Sequence, residues 1–183
     1  RKLIGIHCFL ASSVFMSDYG TLHDSSSAVL ELLQQLIEAN SVEGKIVDIV
    51  NESPDLENKP ALRKAHIAVC LPPPNQSDWA SSMLDTDDPR WQLGIPPRNK
   101  ANYAWIMQTI DALEPGGIGF LLLCNGPLVS SVGAEKMLRE NLAKSELLQC
   151  VISLPGGLFA DNRPPSSIIV IKKRDDAAEV EIS

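Results

Sequence analysis

Apolar residues in this chain fall into short runs, and their spacing alternates between the period of a strand and that of a helix. Lys2–Ile6 reads as a strand, Phe9–Met16 as a short helix and Tyr19–Leu22 as a short strand. The clearest helix spans Ser25–Asn40. Val29, Leu30, Leu33, Leu36 and Ile37 recur on one face at helical spacing, and Asp24 stands where a side chain caps the first turn. Gly44 closes that unit, and Lys45–Val50, rich in β-branched residues, reads as the next strand.

Residues 51–64 are polar and mostly loop. His66–Leu71, the end of the apolar run that starts at Ala65, reads as a strand. Residues 72–100 are proline-rich and show no periodicity; irregular segments of that length are uncommon and often functional. Ala101–Leu113 reads as a helix halted by Pro115-Gly116-Gly117. Ile118–Cys124 is apolar throughout, as suits a strand buried on both faces. A helix over Ala134–Ala143 and strands over Leu148–Leu154 and Ser167–Lys172 complete the pattern. This alternation predicts an α/β fold, a doubly wound, mostly parallel sheet over residues 1–173, with a charged tail over 174–183. Ligands in such folds bind beyond the carboxyl ends of strands. The turns Leu71–Pro74 and Asn125-Gly126-Pro127 both follow strands and therefore fall on that side.

Composition changes this picture in three ways. A chain of 183 residues, 44% of them apolar, suits one domain with a sizeable core. Sixteen Lys and Arg against 23 Asp and Glu give a formal charge of −7, without the basic footprint of a stand-alone DNA binder. Cys8, Cys70, Cys124 and Cys150 form no C-x-x-C pair and sit in or beside apolar runs, which reads as buried free thiols in a reducing cytoplasm. His7, His23 and His66 are scattered, so no structural zinc site is expected. No apolar stretch approaches the length of a membrane span, and no signal peptide follows Arg1-Lys2. The chain opens at Arg1 on a strand-like run, as expected of a domain within a longer protein.

The chemistry-bearing residues begin at the end of the strand before the long loop. Leu71-Pro72-Pro73-Pro74 is followed by Asp87-Asp88-Pro89-Arg90-Trp91, Gly94-Ile95-Pro96-Pro97 and Asn99-Lys100-Ala101-Asn102-Tyr103-Ala104-Trp105. Leu113-Glu114-Pro115-Gly116-Gly117, Asn125-Gly126 with Leu128, Glu135 with Arg139, Val151-Ile152-Ser153-Leu154-Pro155, Leu158-Phe159 and Pro165-Ser166-Ser167 come after it in order. This series resembles the modification (methyltransferase) subunit of type I restriction systems, an adenine-N6 DNA methylase family, from about Ala65 to Lys173. The resemblance implies the Rossmann-like sheet of S-adenosylmethionine-dependent methyltransferases. It also implies S-adenosylmethionine as cofactor, DNA as substrate, and a specificity subunit as partner.

Where the family's turn reads Asn-Pro-Pro-Phe, this chain has Leu71 and Pro74 at the outer positions. In the family, the Asn side chain and the first Pro carbonyl accept the two amine protons of a flipped-out adenine and aim its nitrogen at the cofactor methyl. The aromatic residue stacks on the base. Leu71 has no acceptor and Pro74 no π face, so the resemblance implies an adenine methylase with impaired catalysis. The family's glycine-rich cofactor loop is absent, with Cys8 and Phe9-Leu10 as its remnants. Asp24, 47 residues before Leu71, is the candidate acid for the cofactor ribose. A rival alignment puts Gly5-Ile6-His7 there, with too many residues before the turn.

Arg90, Trp91, Arg98, Asn102 and Tyr103 are the candidate DNA contacts. Each has a plainer reading. Trp79, Trp91, Tyr103 and Trp105 would pin the long loop to the domain, and Arg90 and Arg98 would pair with Asp85, Asp87 or Asp88. Asn125 is a turn residue or a site-facing amide. Two functions compete: an impaired methylase subunit, and a methylase-like scaffold kept for DNA or subunit binding. The Leu-Pro-Pro-Pro turn and the missing glycine loop favour the second.

Overall fold

Apolar, β-branched runs supply the strands of one six-stranded sheet. The computed structural model describes residues 6–10, 50–51, 56–57, 64–80, 84–131, 133–156 and 164–175. Its strands are β1 (Ile6–Leu10), β2 (Val50–Asn51), β3 (Ala65–Leu71), β4 (Leu113–Cys124), β5 (Leu148–Ser153) and β6 (Ser166–Lys172). They are ordered β2-β1-β3-β4-β6-β5. The first four are parallel, and β6 runs antiparallel to both β4 and β5. Among the described residues the helices are α1 (Asn102–Ala112), the one-turn α2 (Gly126–Val129) and α3 (Gly133–Lys144), with a 3-10 turn at Pro89–Trp91. Among the described residues no helix is long and apolar enough to cross a membrane.

α1 is buried on every side except at Asp111. Ile106, Met107 and Ile110 have no exposed surface and pack with Leu113, Leu121, Ile169 and Ile171 in the main core. Each such side chain contributes about 1.5–3 kcal/mol of burial. Thr109, polar inside this helix, donates its hydroxyl to the Trp105 carbonyl at 2.9 Å, which satisfies it without an outside partner.

Several expectations need correcting. Phe9 and Leu10 belong to a strand and not to a helix. They lie opposite Cys70 and Leu71 in the parallel ladder, which satisfies the backbone of an apolar run too short to make an independent helix. The described strand starts at Ile6 and so follows the expected Lys2–Ile6 run. The helix before Pro115 ends at Ala112, and β4 already begins at Leu113. Pro115-Gly116-Gly117 is a bulged piece of that strand. Gly116 has φ +76°, a Cβ on Gly117 would stand 2.9 Å from the Glu114 carbonyl oxygen, and the register shifts opposite at Ala65/Ile67. Cys150 is exposed on the edge strand β5, unlike Cys70 and Cys124, which are buried. The expected elements Tyr19–Leu22 and Ser25–Asn40, and the tail beyond Asp175, lie outside the described residues.

Candidate functional site

The chain passes from β1 to the outer strand β2 and then back across to β3, so the winding reverses between β1 and β3. Leu10 and Leu71 are register partners at the carboxyl ends of those two strands, and ligand crevices of doubly wound sheets lie beyond this reversal. β3 therefore delivers the tri-proline turn to the ligand side. Leu71 is half-buried, Pro72 and Pro73 are buried, and Pro74 is exposed. A fixed φ at three successive prolines makes this a stiff turn.

The turn is fastened to the start of α1. Gln76 accepts the Ala101 N–H on its backbone carbonyl at 2.9 Å and the Trp105 indole N–H on its side chain at 3.0 Å. Between the turn, α1 and the end of β4 lies a shallow surface recess lined by Pro72, Pro73, Pro74, Asn102, Leu122, Leu123, Cys124 and Ser166. Its far wall is closed by bonds between β4 and β6. Asn125 donates its N–H to the Pro165 carbonyl at 2.8 Å, Ser167 Oγ lies 2.7 Å from Asn125 Oδ1, and Ser166 Oγ donates to the Pro164 carbonyl at 2.7 Å.

The long loop is held by buried polar and aromatic contacts. Arg90 is 1% exposed. Its guanidinium donates to Asp88 Oδ2 through Nε at 2.9 Å and Nη2 at 2.7 Å. Nη1 donates to Gln108 Oε1 at 2.8 Å and to the Leu56 carbonyl at 3.2 Å. The same group lies 4.5 Å from the centroid of the Trp91 ring, a cation–π contact. Trp91 meets Trp79 edge to face with centroids 6.0 Å apart, and Trp79 donates its indole N–H to the Pro97 carbonyl at 2.9 Å.

Arg90, Trp91 and Tyr103, three of the candidate DNA contacts, are engaged within the domain. All three are buried, and a guanidinium already committed to Asp88, Gln108 and Leu56 does not reach a phosphate unless the loop opens. Trp79, Trp91, Tyr103 and Trp105 are all buried, as the pinning reading expects. Arg98 is exposed, with its guanidinium donating to the Ala80 carbonyl at 3.3 and 3.4 Å. Asn102 is buried but faces the ligand side, because it lines the recess.

On the other flank, Tyr103 donates its hydroxyl to the Pro127 carbonyl at 3.3 Å, and Arg139 donates to the Ser130 carbonyl at 2.6 Å. Lys100 pairs with the buried Glu135 at 3.2 Å. Burial pushes the Tyr103 hydroxyl up to about 12; the Arg139 charge opposes this shift and the Glu135 charge adds to it. This phenol stays neutral near pH 7 and serves as an anchor.

Of the residues expected to carry chemistry, the structure brings Pro72, Pro73, Pro74 and Asn102 to one recess. Leu71 precedes it at the end of β3. Asp24 lies outside the described residues. Cys8, Phe9 and Leu10 are inside β1, and so is His7, opposite Ala68 and three residues before the strand ends. The described part of the reversal thus offers no glycine for a close backbone approach to a cofactor. Gln76 and Ser166 also build the site. In the sequence only a polar residue just after a proline turn and a Ser pair leading into a strand signal them.

The N-6 DNA methylase family profile matches residues 17–182. The methylase subunit of the type I restriction enzyme HindI from Haemophilus influenzae is 36% identical over 106 residues, covering 58% of this chain and 24% of that protein. The MjaIX methylase subunit from Methanocaldococcus jannaschii is 32% identical over 110 residues, 57% of this chain and 20% of that one. The chain thus matches only about a quarter or less of the length of these curated relatives. Among solved structures, the type I methyltransferase subunit from Streptococcus thermophilus superimposes with a TM-score of 0.65 at 20% identity, over 93% of this chain and 40% of that one. The M protein of the EcoKI type I restriction enzyme gives 0.53 at 21% identity, over 83% and 30%. Likeness at that identity shows a shared fold. With most of its length matched by the profile, the chain belongs to the N-6 DNA methylase family.

Proposed function

We propose, starting from that membership, that this chain is the methylase domain of a type I modification subunit and that its own methyl-transfer step is impaired. The observation that carries the proposal is Leu71 at the carboxyl end of β3, directly before the proline turn. An exocyclic amine is a poor nucleophile because its lone pair is delocalised into the ring. A side-chain acceptor at this position would hold the amine N–H and aim its nitrogen. Leu71 accepts nothing, and losing one oriented catalytic hydrogen bond costs about 2.7–4 kcal/mol, roughly 100- to 1000-fold in rate.

S-adenosylmethionine is the cofactor of this reading, and it supplies the methyl group when bound. The sequence following Cys8 runs into Phe9-Leu10 without the family's glycine-rich loop, which supports weakened cofactor binding. DNA remains the substrate class, and a specificity subunit the partner. A net charge of −7 suits a subunit that leaves most phosphate contacts to a companion. The scaffold reading differs only in abandoning transfer altogether, and the firmly fastened loop supports a retained binding surface in either case.

The test is methyl transfer from labelled S-adenosylmethionine to adenine in duplex DNA, with the chain alone and with a specificity subunit. The expected result is no transfer above background. Incorporation into adenine at a rate matched by an Asn-Pro-Pro-Phe relative overturns the impairment.

A further inference from the structure

One edge of the sheet is left open by its own sequence. β5 is the last strand in the order and pairs on one side only, with β6. Its six residues, Leu-Gln-Cys-Val-Ile-Ser, include no charge and no proline, the features that usually blunt an edge strand. Gln149 to Ser153 are all exposed, so the strand is uncovered on both faces. Val151 and Ile152, 44% and 48% exposed, are the only two adjacent in sequence among the large apolar side chains exposed in the described residues.

The ladder fixes which backbone groups are open. Ser153 lies opposite Ser167 and Ile152 opposite Ile168, and the Leu154 N–H donates to the Ser166 carbonyl at 3.0 Å. Antiparallel pairs alternate between those that exchange both bonds and those that exchange none. Leu154, Ile152 and Cys150 therefore bond inward to β6, while Val151 and Ser153 turn their N–H and C=O outward. The register shift between Leu148 and Cys150 lies before this stretch. The side chains are arranged symmetrically about Val151: Cys150 and Ile152 are apolar, Gln149 and Ser153 polar. An identical strand run antiparallel about Val151 sets Val151 against Val151, Cys150 against Ile152 and Gln149 against Ser153. Apolar meets apolar on both faces, polar meets polar on either side, and no like charges are opposed.

We propose that β5 is a self-association edge, pairing antiparallel with β5 of a second copy of this chain about a two-fold axis at Val151. The strand complements itself, which is the condition for a two-fold contact, and such a contact uses the same edge on both copies and closes as a dimer. A single strand pair covers less area than the interface of a permanent dimer, so the association is weak and depends on concentration. β4 and β6 separate this edge from β3 and the proline turn. The pairing therefore stands or falls apart from the methyl-transfer reading.

Sedimentation equilibrium of the whole chain, in reducing buffer, reads the association, and a reversible monomer–dimer equilibrium is the expected result. Val151→Pro removes an outward N–H from each copy and leaves the bonds to β6 in place. Losing two symmetric bonds is expected to weaken the dimer about tenfold or more, with the unfolding midpoint of the dilute chain unchanged. Val151→Lys keeps the backbone but opposes two like charges across the axis, and is expected to weaken the dimer as well. Cross-linking reads the register. Ile152→Cys sets a thiol opposite Cys150 of the second copy, with Cα atoms about 4.5 Å apart and within disulfide reach. Mild oxidation is expected to join the copies through these two positions, as mapped by mass spectrometry of the peptides. Ile152→Cys combined with Cys150→Ser leaves only diagonal thiols and is expected to cross-link poorly. A chain that stays monomeric up to about 1 mM, a Kd weaker than roughly −4.1 kcal/mol, overturns the inference. So does a dimer that neither Val151 variant weakens, or an equal yield of cross-link from the double variant.

Discussion

The side chain of Gln76 accepts the indole N–H of Trp105 at 3.0 Å, so the segment leaving the proline turn is tied to the second turn of α1. Trp105 is 3% exposed, and water does not readily replace that acceptor. Gln76→Ala leaves the Gln76 carbonyl bond to Ala101 in place but orphans a buried donor, a cost of about 1–3 kcal/mol. Urea unfolding reads the loss. A change within error would mean that the turn is held by its backbone alone.

Arg90 behaves as a structural cation. Arg90→Ala leaves the Asp88 carboxylate, 8% exposed, without its guanidinium and removes the support under Trp91. Breaking a buried pair from one side typically costs about 3–5 kcal/mol. The expected outcome is a large drop in the unfolding midpoint that added salt changes little, since buried pairs are weakly screened. A stable variant with weakened DNA binding would instead restore the phosphate-contact reading.

Gly117 is where β4 passes closest to other backbone. A methyl group there would lie 2.9 Å from the Glu114 carbonyl oxygen and 3.0 Å from that of Ala65. Neither oxygen can swing aside, and Gly117→Ala is expected to cost roughly 1–3 kcal/mol. Gly126→Ala is the control, because its nearest neighbour would be the Asn75 side chain at 4.0 Å. Equal midpoints for the two variants would show that the bulge relaxes freely.

Tyr103 predicts an alkaline loss of stability. Its folded pKa of about 12 lies above the ordinary 10.0, chiefly because of burial. Below pH 10 both folded and unfolded chains carry the phenol proton, and stability is unaffected. Between about pH 10 and 12 only the unfolded chain releases it, so stability falls as pH rises. The fall is expected to be smaller in Tyr103→Phe, and comparing the two unfolding curves across that range isolates the phenol. Parallel curves would mean that the hydroxyl titrates as if exposed.

S-adenosylmethionine titrated into the chain should bind more weakly than about 100 μM, roughly −5.5 kcal/mol. Tighter binding would mean that residues outside the described part of the reversal complete a cofactor site. In that case Leu71→Asn with Pro74→Phe is the natural pair for regaining transfer. If binding is weak as expected, that pair should restore nothing.

The sequence by itself determined the sheet class, the strand that ends in Leu71-Pro72-Pro73-Pro74, and the absence of an acceptor at that turn. Those features are local: a run of β-branched and apolar residues, a stop signal and the chemistry of one side chain are written where they act. It also placed the helix starting near Ala101 and the apolar strand ending at Cys124 within one or two residues. What it left undecided depends on packing between distant segments. Arg90 looks like a phosphate contact until Asp88, Gln108 and Leu56 surround it, and Leu56 and Gln108 lie far from it along the chain. Pro-Gly-Gly reads as a helix stop and turn until β3 and the Lys173 backbone pair with it and make it a bulged strand. Asn102 reads as one polar residue among many. Only the meeting of α1, β4 and the proline turn gives it walls, because burial is a property of the assembled surfaces and not of the residue.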